Sequence, residues 1–200
     1  MDDNLAAVTD KQLERIADLI HEVGMLRKTP RTGWPFLGTN SENVAEHSLR
    51  VSIIGYILAR LAAIEPAEVV MLCLFHDLHE ARTGDFNYVY HRYNTLDAQR
   101  ALSDALQGTG LEEIQDYFSE FCAGQTKAAS LANDADQLDL IANLQVELRK
   151  GNDFARDWLD SAIPRLKTHE GRLLAQVLLR IDPNNWWYGH IEKEFWVHHR

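Results

Sequence analysis

The sequence has 200 residues, 46% of them hydrophobic, which is enough chain for one domain of generous size with a substantial core. Its net charge of −10 argues against nonspecific binding to nucleic acid polymers or to anionic membranes, because both attract basic proteins. Two cysteines far apart in apolar surroundings predict reduced thiols, and there is neither a secretory signal nor a run approaching the roughly 18 apolar residues of a membrane span. We therefore expect a cytoplasmic protein.

Helical periodicity dominates the chain, and alternating strand patterns are essentially absent. Before the first helix, Thr9 and Gln12 are typical of an amino-terminal capping box. A long loop is predicted from Arg27 to Asn43 and a second, polar and aromatic loop after Gly84; loops of the first kind are often functional. Further helices are predicted near residues 44–64, from 66 onward, 95–106, 111–122, 130–150 and 164–181, with a short aromatic one near 191–197. We therefore predict a single all-α domain, a compact bundle of roughly seven to nine helices.

Histidine and carboxylate side chains fall on the apolar faces of the predicted helices. Steps of four and three from His47 reach only apolar positions (51, 54, 58 and 61), so His47 faces the core. His76 continues the apolar face of the next helix, with Asp77 rotated by about 100° and Glu80 one turn further on. These three groups can converge at the inner end of one helix. Burial without partners is costly for such groups, and a bound metal ion offsets that cost.

The helix predicted over residues 130–150 carries three aspartates, and periodicity leaves open which of them faces inward. Asp136 aligns with apolar positions 132, 140 and 144, whereas Asp134 aligns with positions 138 and 141. Asp139 falls on the more polar side, in line with Asn143. Two imidazoles and two carboxylates suit one divalent ion, such as Mn, Co, Fe, Zn or Mg. Such an ion lowers the pKa of its water and polarises a phosphoryl oxygen, so phosphate ester hydrolysis is a candidate reaction.

Three short motifs occur in order on successive predicted helices: SENVAEHS from Ser41, HDLHEARTGD from His76 and NDADQLD from Asn133. Together they resemble the HD-domain phosphohydrolases, and the residues around the histidines and aspartates resemble the 5′-deoxynucleotidase branch of that family. The resemblance extends from roughly Arg31 to Leu144, and the last fifty residues do not contribute to it. It implies an HD-domain helical bundle that hydrolyses the 5′-phosphate of deoxyribonucleoside monophosphates.

The resemblance also implies a role for each matching residue. It makes four residues the metal ligands: His47, His76, Asp77 and Asp136. Asp136 is chosen over Asp134 because Ala-Asp-Gln-Leu matches the family's Ala-Asp-x-Leu. Glu80 becomes the group that positions the attacking water or protonates the leaving 5′-oxygen, and its place one turn from His76 supports this role independently. Asp85 orients the water or holds the sugar, unless Thr-Gly-Asp is only a turn and helix cap.

The loop PRTGWP supplies substrate contacts if the resemblance holds: Arg31 binds the phosphate and Trp34 the deoxyribose. A planar guanidinium suits phosphate oxygens, and an indole face crowds a sugar that has a 2′-hydroxyl. Two residues separate Arg31 from Trp34, whereas some family members have them adjacent, which leaves the pose of Arg31 open. The alternative phosphate partners are Arg27, Lys28 and Arg50. If they do not bind the phosphate, Arg27 and Lys28 are expected to be solvated charges, and Arg50 is expected to pair with Glu46.

The remaining polar candidates are interpreted as supporting residues. His79 is expected in the pocket wall or behind the ligands, because the zinc peptidase patterns H-E-x-x-H and H-x-x-E-H are absent. Asp134 and Asp139 are expected behind the ligands or at the surface. One metal ion is favoured over two, because the chain lacks the additional His-His pair that dinuclear relatives carry between Asp77 and Asp136.

The aromatic segment at residues 184–200 is typical of a short helix that seals the core or of a homodimer interface. Since family members are commonly dimeric, we expect a homodimer with a small-molecule nucleotide substrate. Three alternative functions stay open: hydrolysis of (deoxy)nucleoside triphosphates at the same site, a noncatalytic nucleotide-binding module, and a cyclic-nucleotide phosphodiesterase. The noncatalytic alternative is disfavoured because no ligand, nor Glu80 or Asp85, is lost.

Overall fold

The computed structural model describes residues 8–39 and 42–189, and the regular structure in these ranges is helical apart from an isolated β-bridge between Pro30 and Asn43. The α-helices in these ranges are α1 (Asp10–Val23), α2 (Val44–Leu61), α3 (Pro66–Phe75), α4 (Glu80–Thr83), α5 (Tyr88–Tyr93), α6 (Ala98–Leu106), α7 (Ile114–Ala123), α8 (Lys127–Arg149), α9 (Phe154–Ala162) and α10 (His169–Arg180). Eight of these ten have nine or more residues, within the predicted seven to nine. The all-α prediction is confirmed.

Side-chain caps determine where the first two long helices begin. The Asn43 side chain accepts a hydrogen bond from the Glu46 backbone N–H, and the Glu46 carboxylate accepts one from the Asn43 N–H, which is a complete capping box for α2. At α1 only half of the predicted box forms. Thr9 accepts from the Gln12 N–H, but the Gln12 side chain donates to the Thr109 carbonyl instead, which ties α1 to the segment after α6.

The prediction of a second loop after Gly84 is wrong in part, because α5 lies within it. The Asn87 side chain accepts hydrogen bonds from the backbone N–H groups of Val89 and Tyr90 and so starts this short helix. Its tyrosines and the polar side chains of His91 and Arg92 gave the segment the composition of a loop.

The prediction of one helix over residues 164–181 is also wrong, because two segments meet there. A 3-10 turn at Ile163–Arg165 follows α9, and Thr168 then caps the separate helix α10. Pro164 lies in the first positions of the 3-10 turn and not at the start of α10, although its ring suits either place. Helix α9 was not predicted at all. The aromatic helix predicted near residues 191–197 lies outside the described residues.

The main core forms where α2, α3 and α8 pack against one another, and α9 and α10 pack on α8. A second apolar cluster joins α1, α6 and α7 through Leu19, Leu102, Leu106 and Phe118. Among the described helices, none combines the length and apolarity that a bilayer crossing requires.

The central helices α2 and α3 approach closely at Gly55. A Cβ at this position would lie 2.5 Å from the Cys73 Sγ, so only glycine allows the two helices this separation. The same pair of helices presents His47 and His76 side by side, with ring centroids 5.3 Å apart. Because α8 packs against both helices, its aspartates lie opposite these two imidazoles.

Candidate active site

Four side chains from three parts of the chain bring their donor atoms together. His47 Nε2 lies 3.3 Å from His76 Nε2, 3.2 Å from an Asp136 oxygen and 3.5 Å from an Asp77 oxygen, and His76 Nε2 lies 3.0 Å from that same Asp77 oxygen. An ion with ligand bonds of about 2.1 Å separates neighbouring donors by about 3.0 Å in octahedral and about 3.4 Å in tetrahedral geometry. The ligand atoms of His47, His76 and Asp136 lie within 4.8 Å of one another and can share a single divalent cation, and Asp77 contacts both imidazoles.

Hydrogen bonds behind the two imidazoles orient them toward this point. His47 Nδ1 lies 2.8 Å from Asp139 Oδ2, and His76 Nδ1 lies 2.7 Å from the Cys73 carbonyl. When Nδ1–H donates in this way, Nε2 keeps its lone pair for a metal. Asp139 is 1% exposed, so the more polar side of α8 on which it lies is not a surface, and Asp139 stands behind His47, one of the two places expected for it.

A partly buried polar network lies beyond Asp139. Arg50 donates to Asp139 and also to Glu42, at 2.6 Å, and the Asn143 amide donates to the same Glu42 oxygen at 2.9 Å. Arg50 therefore contacts neither Glu46 nor the space in front of the imidazoles. The network explains the polar pattern around position 139, because the polar side of α8 faces other side chains and not water.

The electrostatics of the site favour a cation. Burial and the Arg31 charge disfavour protonation of His47, yet the carboxylates of Asp136 and Asp139 outweigh them and raise its pKa to about 10. Burial works against ionisation of Asp77, but His76 and Arg31 hold its pKa well below the usual range. The pKa of Asp136 is also lowered, against its burial, chiefly by His47. The carboxylates are thus held ionised around the imidazoles, as metal ligands must be.

Glu80 begins α4 one turn after His76 and lies in the same pocket as Arg31 and Asp136. It is 7% exposed, and its Oε2 is buried without a hydrogen-bond partner among the described residues. Burial, with the nearby charges of Asp77 and Asp85, raises the pKa of Glu80 to about 10. Without a bound ion, this carboxyl group therefore favours its protonated form and can donate a proton.

Asp85 connects the loop after α1 to the donor cluster. One of its oxygens accepts a hydrogen bond from Arg31 at 2.8 Å, and the other accepts from the Thr32 N–H at 2.6 Å and hydroxyl at 2.7 Å. Arg31 also lies 3.3 Å from Asp77 Oδ2, and these carboxylates outweigh its burial and raise its pKa. Thr32, in the spacer before Trp34, therefore anchors the loop. The helix cap of α5 is Asn87, two residues beyond Asp85.

Trp34 forms a wall of the pocket next to Arg31. It is 5% exposed, its Nε1 donates to Glu42 at 3.0 Å, and its ring stacks on Trp158 with centroids 6.3 Å apart. The hydrogen bond and the stacking fix the plane of the indole. The face that borders the pocket is therefore rigid.

These residues line a pocket of about 610 Å³, within the range of small-molecule sites. Its walls include residues that the sequence did not single out: Phe86, Tyr88, Gln137, Trp158 and Arg165. Arg165 lies over the Tyr88 ring and donates to its hydroxyl. Tyr88 and Trp158 belong to α5 and α9, the helices that were not predicted, and Phe86 and Arg165 lie next to these helices. Only Gln137 carried a signal, because it follows Asp136 directly in the motif.

Several sequence candidates lie outside the donor cluster. Arg27 and Lys28 are exposed and do not line the pocket. Asp134 is fully buried and accepts hydrogen bonds from the Lys167 and Thr168 N–H groups, so it supports the start of α10. His79 is buried behind the pocket, and its Nδ1 lies 3.1 Å from the Thr83 hydroxyl; its ring packs edge-on against Phe118.

Comparison with known proteins agrees with this geometry. The chain is 30% identical over 156 residues to a protein named 5′-deoxynucleotidase from Vibrio vulnificus, with 68% of this chain and 80% of that protein covered. It is 28% identical over 160 residues to 5′-deoxynucleotidase YfbR from Escherichia coli, with 68% and 78% covered. A solved structure described as a conserved hypothetical protein from Pyrococcus furiosus has a TM-score of 0.70 and 26% identity, over 82% of this chain and 99% of that one.

The family model described as HD domain matches residues 23–176. This range extends the similarity beyond the predicted Arg31–Leu144 and takes in α9 and most of α10. The resemblance inferred from the motifs is confirmed, and the chain belongs to the HD domain family.

Proposed function

We propose that this protein removes the 5′-phosphate from deoxyribonucleoside monophosphates and releases deoxynucleoside and phosphate. The observation that carries the proposal is the cluster of four donor side chains, joined by contacts of 3.0–3.5 Å, at one end of a pocket that also holds Arg31 and Glu80. Membership of the family and the names of the relatives support a hydrolase that acts on phosphoric monoester bonds. That the substrate is a deoxyribonucleoside monophosphate is the more specific part of the proposal.

In this proposal each side chain at the metal end of the pocket has a distinct task. One divalent ion, such as Mn, Co, Fe, Zn or Mg, would be held by His47, His76, Asp77 and Asp136, and when bound it supplies an ionised water and polarises the phosphoryl group. Arg31 binds the non-bridging phosphate oxygens and neutralises charge that develops on them. Glu80, whose buried Oε2 has no partner among the described residues, delivers a proton to the leaving 5′-oxygen.

Two further residues position the substrate. Asp85 acts through Arg31, because its hydrogen bonds to Arg31 and Thr32 hold the guanidinium beside Asp77. Trp34 presents its fixed indole face to the sugar, where a 2′-hydroxyl would be crowded. Together these contacts orient the 5′-ester bond next to Glu80.

The direct test is a substrate panel with purified protein: a deoxyribonucleoside monophosphate, its ribonucleotide, the deoxyribonucleoside triphosphate and a cyclic nucleotide. We expect inorganic phosphate from the deoxyribonucleoside monophosphate, less from the ribonucleotide, and loss of activity with a chelator that divalent ions reverse. Phosphate release and nucleoside formation are measured together, so that the bond that is broken is identified.

The products of the same panel separate the alternatives. Triphosphate or pyrophosphate from the deoxyribonucleoside triphosphate would indicate a triphosphohydrolase at the same site. A nucleoside monophosphate from the cyclic nucleotide would indicate a phosphodiesterase. Nucleotide binding without hydrolysis in every divalent ion would indicate a noncatalytic module and would contradict the proposal.

We also propose a cytoplasmic homodimer in which residues 1–200 form one domain. The two cysteines are unpaired, as a reducing compartment favours. The outer face of α2 supports the dimer, because it exposes a row of large apolar side chains at helical spacing: Leu49, Ile53, Tyr56, Ile57 and Leu61. A two-fold axis next to this row would bury it against its own copy.

The dimer is tested by light scattering at micromolar concentration. We expect twice the mass of one chain for the wild type and one chain mass for Ile53→Asp, because the carboxylate would be desolvated at the interface. Glu68→Asp, at an exposed position on α3, is the control and should leave the mass unchanged. A monomeric wild type would contradict the homodimer.

A further inference from the structure

The carboxylate of Glu42 lies between the wall of the pocket and the polar network behind His47. Glu42 comes just before the capping residue of α2, and its side chain is 8% exposed. Its Oε2 accepts a hydrogen bond from Trp34 Nε1 at 3.0 Å, whereas its Oε1 accepts from Arg50 at 2.6 Å and from Asn143 at 2.9 Å. One carboxylate therefore serves donors from three parts of the fold: the loop after α1, helix α2 and helix α8.

From Oε1 the contacts continue to a proposed metal ligand. Arg50 donates from Nη2 to Glu42 and from Nε to Asp139, and Asp139 in turn lies 2.8 Å from His47 Nδ1. A guanidinium is planar and its N–H groups are fixed relative to one another, so the position of Glu42 restricts where Arg50 can meet Asp139. The imidazole of His47 is therefore oriented by a chain of hydrogen bonds that begins at Glu42.

From Oε2 the contact reaches the indole of Trp34. The terminal torsion of a glutamate is soft, so its carboxylate takes the orientation that its hydrogen-bond partners impose. Since the two oxygens move as one rigid group, the bond from Trp34 also helps to direct Oε1 toward Arg50. A change at either end of the carboxylate therefore turns the other end as well. The main chain adds a further link to the same loop, because the Glu42 carbonyl accepts from the Arg31 N–H at 3.1 Å.

We propose that Glu42 is a positioning residue that couples the metal ligand His47 to the indole of Trp34. The inference rests on the proposed metal site and adds that the site and the wall of the pocket are set together. The Nε1–H group of Trp34 strengthens the binding of a divalent ion, although Trp34 is not one of the proposed ligands. Because coupling between two sites is reciprocal, the indole is held more firmly when the metal site is occupied.

The test is a double-mutant cycle on the affinity for Mn²⁺, measured by calorimetry on the protein without nucleotide. We expect Glu42→Gln to weaken Mn²⁺ binding about fivefold to tenfold, because the NH₂ group of glutamine would face one set of donors and turn the side chain away from it. Trp34→Phe removes the Nε1–H donor and should weaken binding about threefold. The double variant should lie within about twofold of Glu42→Gln, because both changes act through one carboxylate.

The reverse direction of the coupling is measured by tryptophan emission during addition of Zn²⁺, which is not paramagnetic. We expect the emission of the wild type to change as Zn²⁺ binds, and Trp34→Phe to lose this change, which assigns it to Trp34. At saturating Zn²⁺, Glu42→Gln should lose it as well, although all its tryptophans are present. A full Zn²⁺ response in Glu42→Gln, or none in a wild type that binds Zn²⁺, would overturn the proposal.

Trp158→Phe is the matched control, because Trp158 stacks on the same indole and lines the same pocket, while the hydrogen bond to Glu42 comes from Trp34. It should keep the Mn²⁺ affinity of the wild type within about twofold. Additive losses from Glu42→Gln and Trp34→Phe, or an unchanged affinity in either, would overturn the proposal. If Glu42→Gln does not fold, Trp34→Phe and Trp158→Phe decide, and equal affinities would overturn it. A wild type that binds no divalent ion contradicts the proposed metal site itself.

Discussion

Replacing Glu80 with glutamine is expected to lower kcat by about a thousandfold and, at the same time, to make the metal-free protein more stable at neutral and alkaline pH. The loss of turnover follows from the proton that Glu80 carries, since a positioned acid or base contributes about 10²- to 10⁴-fold. Glutamine fills nearly the same volume and can still donate a hydrogen bond, but it cannot transfer a proton. Metal binding should persist, because Glu80 is not among the four proposed ligands.

The gain in stability follows from the sign of the pKa shift. The folded protein raises the pKa of Glu80 from 4.5 to about 10, through burial and the charges of Asp77 and Asp85. Between these two values the folded state retains a proton that the unfolded state has lost, so the contribution of Glu80 to stability falls as pH rises across this window. Glutamine has no charge to lose. The variant should therefore gain most over the wild type at the alkaline end.

Thermal unfolding in the presence of chelator, followed from pH 5 to pH 9, measures this effect. Each kcal/mol corresponds to about 2–4 °C in Tm for a chain of this size, so a gap of several degrees at pH 9 that closes toward pH 5 is expected. Glu14→Gln, on the exposed face of α1, should shift Tm little and equally at every pH. Retained turnover would remove Glu80 from the mechanism, and a pH-independent gap would contradict the raised pKa.

The sequence predicted the side chains that the structure brings together and the helices of the first and third motifs. The single helix predicted through His76 to Glu80 is wrong, because α3 ends at Phe75 and Glu80 begins α4 after a turn. His47 and His76 could be oriented because α2 and α3 each have enough surface to show which face is apolar. Arg31 and Asp85 required the resemblance, since their contact depends on how a loop folds and joins residues 54 positions apart in the sequence. The structure shows that Thr32 also donates to Asp85, through its N–H and its hydroxyl, and no periodic pattern in the loop could have indicated it.

Helix α8 shows why periodicity failed to choose among the aspartates. It packs against α2, α3, α7, α9 and α10, so most of its circumference is buried. Asp134 is 0% exposed and Asp139 is 1% exposed, although they lie on different sides of the helix. A helix without a solvent face has little contrast between apolar and polar sides. What distinguishes its aspartates is the partner that each one meets, which only the fold determines.

Three single substitutions on α8 are expected to separate these roles. Asp136→Asn should abolish hydrolysis and the rise in Tm that a divalent ion produces, because it removes a proposed ligand. Asp139→Asn should weaken metal affinity about 10- to 100-fold, since it loosens the His47 imidazole, and excess metal should restore much of its activity. Asp134→Asn should leave the metal response intact and lower the free energy of unfolding by about 2–3 kcal/mol.

The large effect at Asp134 follows from its bonds to the Lys167 N–H at 2.8 Å and to the N–H and hydroxyl of Thr168 at 2.8 Å and 2.6 Å. An asparagine NH₂ group would face one of these donors and leave it unpaired in a buried site. Tm as a function of Mn²⁺ concentration, with phosphate release on the same samples, measures all three variants. If the metal response were lost in Asp134→Asn and kept in Asp136→Asn, Asp134 would be the ligand in place of Asp136. That result would contradict the proposed ligand set.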